Sequence, residues 1–207
     1  MRSKKLPQAT YWHTCGLNVD VFADVNRLCW RITIVDKTKI IESAFAGVLK
    51  PRGFRKRGRN WFRMTSAGEY QVVNLQKSPW GSGSFYLNVG WDPAVAAGEF
   101  RAENFCVLSL RAEKTDVIPS IDFVRPDGLV ARDLPGSILL DAEMSGRIPE
   151  DAFVEQLTEV IVVPVADFMD RTPSLVDLVP LLSAKPWLAF VRVREELSRR
   201  GHVLPAS

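Results

Sequence analysis

Seven cationic side chains fall within the 14 residues that run from Lys50 to Arg63: Lys50, Arg52, Arg55, Lys56, Arg57, Arg59 and Arg63. No Asp or Glu stands between Ser43 and Gly68, and Phe54, Trp61 and Phe62 are interleaved with the charges. A guanidinium meets a carboxylate or a phosphate through a planar fork, and an aromatic ring stacks on a base or on the guanidinium itself. Three chemistries fit: an acidic protein partner, a nucleic-acid backbone, or carboxylates within the same chain. Residues 99–177 carry 16 Asp/Glu against 7 Lys/Arg and could supply the third, whereas residues 1–98 carry 15 Lys/Arg against 6 Asp/Glu. The nucleic-acid reading ranks lower, because no RNP, KH or helix-turn-helix signature accompanies the basic stretch.

Other chemistries find little support. Histidine is confined to His13 and His202, which removes the usual general base and the commonest metal ligand from the middle of the chain. Cys15, Cys29 and Cys106 show no CxxC spacing. Such a sparse, odd set predicts a reducing compartment, with Cys106 as a buried free thiol. Asp116, Asp122, Asp127 and Asp133 match no carboxylate metal loop and read as solvated loop residues. There is no Walker loop, dinucleotide fingerprint or nucleophile elbow, and Gly81-Ser82-Gly83 lies between strand candidates as a turn. No residue is nominated as catalytic, and no metal or cofactor is expected. No apolar signal region follows Lys4-Lys5, and no run approaches the roughly 18 apolar residues that a membrane span needs, so the expectation is a cytoplasmic protein without membrane contact. The oligomeric state is left open.

The elements that would hold these side chains are read from periodicity and punctuation. A helix is expected over 37–50 behind an Asp36 N-cap, with Ile41, Phe45, Val48 and Leu49 on one stripe and Pro51 and Gly53 as its stop. Strand candidates follow at 60–65, 70–77, 84–91 and 105–112, and the first three form a meander. A further hairpin is expected around Pro126-Asp127-Gly128, pairing 121–124 with 129–131. Helices are expected over 150–169, with Pro164 kinking or ending it, and over 174–182 and 187–200, with Gly201 as the final stop. The fold class is α+β, with an antiparallel sheet of four or more strands and helices packed mainly on one face. Residues 1–34 lack a sustained period and are expected to be an upstream extension, poorly ordered or a start-site artefact, ahead of a single domain over 35–207.

Strand alternation divides the sheet into two faces. Centring the second turn on Gly81 sets Asn74 opposite Asn88 and Gln76 opposite Tyr86. Centring the first between Ala67 and Gly68 sets Trp61 opposite Asn74. The apolar face then carries Phe62, Met64, Val73, Leu75, Phe85, Leu87, Val89 and Trp91. The other carries Trp61, Arg63, Asn74, Gln76, Ser78, Tyr86 and Asn88, whose amides, hydroxyls, aromatics and guanidinium suit a polar ligand or a protein loop.

The run LKPRGFRKRGRNWFR, followed by Val73-Asn74-Leu75-Gln76-Lys77-Ser78 and Asn88-Val89-Gly90, resembles the bacterial domain-of-unknown-function 4304 family. Cys106 and Arg111 stand where that family tends to carry a cysteine and an arginine. The likeness is good over 36–112, weaker to about 180 and absent over 1–34. It implies a bacterial, single-domain α+β protein and no reaction, so no catalytic residue is carried over.

The functional expectation is non-catalytic recognition of an acidic protein partner, as by an adaptor or an immunity protein. Arg55, Lys56, Arg57 and Arg59 would steer the partner, and Trp61, Arg63, Asn74, Gln76, Tyr86 and Asn88 would contact it. The alternatives are nucleic-acid binding through 50–63 and a binder or enzyme for a polar small molecule at the amide-rich face.

Overall fold

A computed structural model describes residues 37–79, 83–124, 130–146 and 148–206. The expected extension 1–34, the Asp36 cap, His13, Cys15, Cys29 and the Pro126-Asp127-Gly128 turn lie outside the described residues. The first described element is helix α1, over 37–49. Ile41, Phe45 and Leu49 are buried at i, i+4, i+8 and give the helix one apolar stripe. Its last turn closes through Gly53 N–H to the Lys50 carbonyl and Phe54 N–H to the Leu49 carbonyl, with Gly53 at φ 84°. That left-handed glycine reverses the chain into the sheet.

Five strands follow in meander order: β1 (Arg55–Arg57), β2 (Asn60–Met64), β3 (Tyr70–Lys77), β4 (Phe85–Asp92) and β5 (Leu108–Arg111). Every neighbouring pair is antiparallel. The sheet is of the expected class, and β1 is an addition to it, because three consecutive cations carry no strand alternation. Strands β6 (Ser120–Val124) and β7 (Val130–Pro135) form a separate hairpin with a bulge between Ile121 and Phe123.

Past the hairpin lie α2 (Ala142–Ser145), α3 (Glu150–Leu157), α4 (Val163–Arg171), α5 (Val179–Ala184) and α6 (Val191–Arg199). A π-helical turn, Thr158–Val162, joins α3 to α4. Pro164 therefore neither ends nor breaks the helical segment. It stands in the first turn of α4, where a missing N–H costs little, next to a wide turn that relieves its ring. The expected helix over 187–200 is shorter, because Pro186–Leu188 forms a 3-10 turn and α6 starts only after Phe190.

One face of the sheet packs on the helices. Trp61, Val73, Leu75, Leu87, Val89 and Trp91 share a core with Phe45 and Leu49 of α1 and with Phe153, Leu157, Ile161, Val165 and Met169. The sheet also caps α4. Gln71 donates to the Met169 and Thr172 carbonyls at 2.8 and 2.7 Å, and the Trp91 indole donates to the Thr172 carbonyl at 2.8 Å. These donors satisfy carbonyls that a helix end leaves without partners. The outer face carries a smaller cluster of Tyr70, Val72, Val95 and Cys106 with Phe62 and Met64.

Candidate functional site

The β2–β3 turn decides what the outer face displays. Met64 pairs with Tyr70, and the turn is closed by Thr65 N–H to the Glu69 carbonyl and Gly68 N–H to the Thr65 carbonyl. It centres on Ala67, half a residue before the expected centre, and that shift moves the pairing of β2 by one. Trp61 opposes Val73 rather than Asn74, and Asn60 takes the place opposite Asn74. Two expected contact residues are corrected by this slip, since a shift of one exchanges the faces of a strand. Trp61 is wholly buried in the main core, its ring 5.4 Å from that of Phe45. Arg63 turns to the helix side, donating to Asp170 at 2.7 Å, to the Arg52 carbonyl at 2.8 Å and to Gln71 at 2.9 Å, with its guanidinium 4.3 Å from the Phe54 ring. Phe62 and Met64, placed by the sequence on the helix face, move to the outer one. The second turn holds its expected register: Asn74 opposes Asn88 and Gln76 opposes Tyr86.

With these registers, one row crosses all five strands: Arg57, Asn60, Asn74, Asn88 and Arg111. Strands lie about 4.8 Å apart, so the row is roughly 19 Å long. Its amides form a chain of one direction. Asn88 donates to Asn74 at 3.3 Å and to Gln76 at 3.0 Å, Asn74 donates to Asn60 at 2.8 Å, and Asn60 donates to the Arg57 carbonyl at 3.3 Å. Each carboxamide has two N–H groups and two acceptor sites, so Asn60 and Asn74, both half-buried, keep hydrogen-bonding capacity for a partner, whereas Asn88, expected as a contact residue, is buried and spends its amide on Asn74 and Gln76. The row ends in a cation at each side. The Arg57 guanidinium lies 4.7 Å from the Phe100 ring and that of Arg111 lies 3.9 Å from the Tyr86 ring. Stacking restrains each guanidinium and leaves its N–H edge available.

The remaining cations divide by their carboxylates. Arg52 reaches Asp167 at 2.6 Å and Asp170 at 2.9 Å, so the acidic segment does supply the partners of Arg52 and Arg63. Lys56 and Arg59 instead meet Glu42 of α1 at 2.7 and 3.2 Å. Burial by itself would raise the Glu42 carboxyl, but the hydrogen bonds and charges of Lys56 and Arg59 outweigh it and hold the group below its ordinary value. Among the described residues, no carboxylate forms an ion pair with Arg55, Arg57 or Arg111. Four expected steering residues thus separate into an engaged pair, Lys56 and Arg59 on the helix side of the sheet, and an outward pair, Arg55 and Arg57.

Sequence reasoning missed two members of the row. Asn60 was hidden by the misplaced turn centre. Arg111 lies in the fourth strand candidate, but its place beside Asn88 depends on the β4–β5 register, which no turn of fixed length sets. Elsewhere, Cys106 is buried and its thiol donates to the Ala102 carbonyl at 3.8 Å, with burial pushing its pKa to about 12. Such a thiol is no nucleophile near neutral pH. Among the described residues, no group of three or more His, Cys, Asp or Glu is placed to hold a metal, and no helix is long and apolar enough to cross a membrane.

Residues 45–114 match the model of a family described as Domain of unknown function (DUF4304), the family that the sequence resembles. The matched segment runs from α1 past β5 and so contains the whole sheet and every residue of the row. No curated protein and no solved structure matches the chain.

Proposed function

We propose that the chain is a non-catalytic recognition module that takes an acidic protein partner on the outer face of its sheet. The Arg57–Asn60–Asn74–Asn88–Arg111 row is the observation that carries this reading. Two stacked cations at its ends suit carboxylates on the partner, and the half-buried amides of Asn60 and Asn74 suit its peptide groups, with the buried Asn88 orienting Asn74. Arg55, Gln76 and Tyr86 extend the same surface. An adaptor or an immunity protein would work in this way, holding its target by surface contacts without chemistry. The pairing of Arg52, Lys56, Arg59 and Arg63 with carboxylates weighs against nucleic acid, because few cations remain to displace counterions from a phosphate backbone.

Affinity capture from a lysate of the source organism, treated with nuclease, tests the reading. The full chain and an Arg57→Ser, Arg111→Ser variant serve as parallel baits. The expected result is a protein retained by the first bait, lost from the second, and released as salt rises. Capture that vanishes with nuclease moves the reading to nucleic acid. Identical capture by both baits overturns the row as the binding surface.

A further inference from the structure

Next to the row, the outer face holds a cavity of about 320 Å³. Its apolar wall is Phe62, Met64 and Tyr70, and its rim carries Arg55 from β1 and Glu99 from the segment after β4. The volume is at the lower end of the roughly 300–1,000 Å³ that small-ligand sites span. Arg63 also borders the space, but its charge is paired with Asp170 and its Nε and Nη1 donors go to Gln71, the Arg52 carbonyl and Asp170. Arg55 and Glu99 remain. They line one cavity, they do not pair with each other, and neither forms an ion pair with any other described residue.

The segment bearing Glu99 is fixed from both sides. Phe100 packs edge-on against Phe62 with ring centroids 5.2 Å apart. The Tyr70 hydroxyl donates to the Arg101 carbonyl at 2.8 Å and accepts from the Arg101 N–H at 3.1 Å. The Arg101 guanidinium reaches the fully buried Asp92 at 2.6 Å. The backbone next to Glu99 is thus fixed by a buried anchor, while Glu99 and Arg55 both line the cavity.

We propose that this cavity binds an apolar α-amino acid in its zwitterionic form. The carboxylate pairs with Arg55, the ammonium pairs with Glu99, and the side chain rests on Phe62, Met64 and Tyr70. The charge pattern selects this class over its neighbours. A simple carboxylic acid faces Glu99 without compensation, a simple amine faces Arg55 in the same way, and a neutral apolar molecule leaves both charges to be desolvated unpaired. The site contains no residue of the row, although Arg55 also borders the partner surface, and its ligand is read from the cavity alone.

Calorimetric titration of the full chain tests this with L-leucine and L-phenylalanine. N-acetyl-L-leucine, which lacks the ammonium and mimics a peptide C-terminus, and L-leucinamide, which lacks the carboxylate, are the controls. Saturable binding of a free amino acid is expected, with each control weaker by about tenfold or more, the loss that removing one charge-assisted pair produces. Glu99→Gln should abolish the discrimination against N-acetyl-L-leucine and leave that against L-leucinamide; Arg55→Gln should do the reverse. Both positions are exposed, so neither variant puts folding at risk. Absence of saturable binding by the free amino acids overturns the proposal. So does N-acetyl-L-leucine binding as tightly as leucine, which would assign the cavity to a peptide terminus instead.

Discussion

Cys106 and Tyr70 lie together in the small cluster under the outer face, and burial moves both titrations in the same direction. The thiol goes from 9.0 to about 12 and the phenol from 10.0 to about 12. Each group keeps its proton in the fold after the unfolded chain has lost it. Their contribution to stability is therefore intact below about pH 9 and is lost as pH climbs toward 12. Urea midpoints should fall between pH 8 and pH 11, and a Tyr70→Phe, Cys106→Ser variant should show a flatter fall; an unchanged wild-type midpoint would contradict this. In a Cys15→Ser, Cys29→Ser background, the native thiol should resist a disulfide reagent at pH 8 and react once the chain is unfolded. Cys106 as a buried thiol was legible from its sparse, unpaired occurrence. The burial of Trp61 was not, because alternation assigns a side chain to a face only after the turn centre is known, and half a residue reversed the whole of β2.

At the level of elements, the ion pairs join pieces that are distant in sequence. Arg52 and Arg63 tie the sheet to α4 through Asp170, and Lys56 and Arg59 tie it to α1 through Glu42. Asp170→Asn should cost about 1–2 kcal/mol in chemical denaturation, since Arg63 is mostly buried and loses its only carboxylate among the described residues. Glu42→Gln should cost under about 1 kcal/mol, because water screens its partners more. The Glu42 carboxyl lies below its ordinary 4.5, so its share of stability is present above that value and lost as pH falls below it. A tighter joint occurs where the β6–β7 hairpin meets the helices. A Cβ on Gly136 would overlap the Pro119 carbonyl oxygen and stand 2.7 Å from a Val160 methyl. Gly136→Ala should cost about 3 kcal/mol, near the upper end for overpacking, and a denaturation midpoint within error of wild type would contradict that contact. Most strands and helices were legible from local pattern, whereas β1 was not: its three residues are all charged and exposed, as suits a short edge strand protected by cations.

Across the whole molecule, the sheet takes its helical cover on one face because the C-terminal helices carry their apolar residues along a single line. Phe153, Leu157, Ile161, Val165 and Met169 are all fully buried and stand at a strict interval of four. An α-helix turns 100° per residue, so a four-residue repeat overshoots one turn by 40°, and over four repeats the line would wander about 160° around the helix. The wide turn at Thr158–Val162 gives back about 100° of that surplus, the angle of one residue. The interval of four is thus a record of local underwinding, in the way that a heptad interval records a supercoil. The segment works as a phase adjuster: it has one residue more than a straight α-helix would need, and everything after it is timed to that residue. Deleting Thr158 would remove that surplus residue and let the segment close as a straight α-helix with Val165, Asp167, Met169 and Asp170 still in phase, whereas deleting a residue within Val163–Arg171 would rotate every later side chain by about 100°.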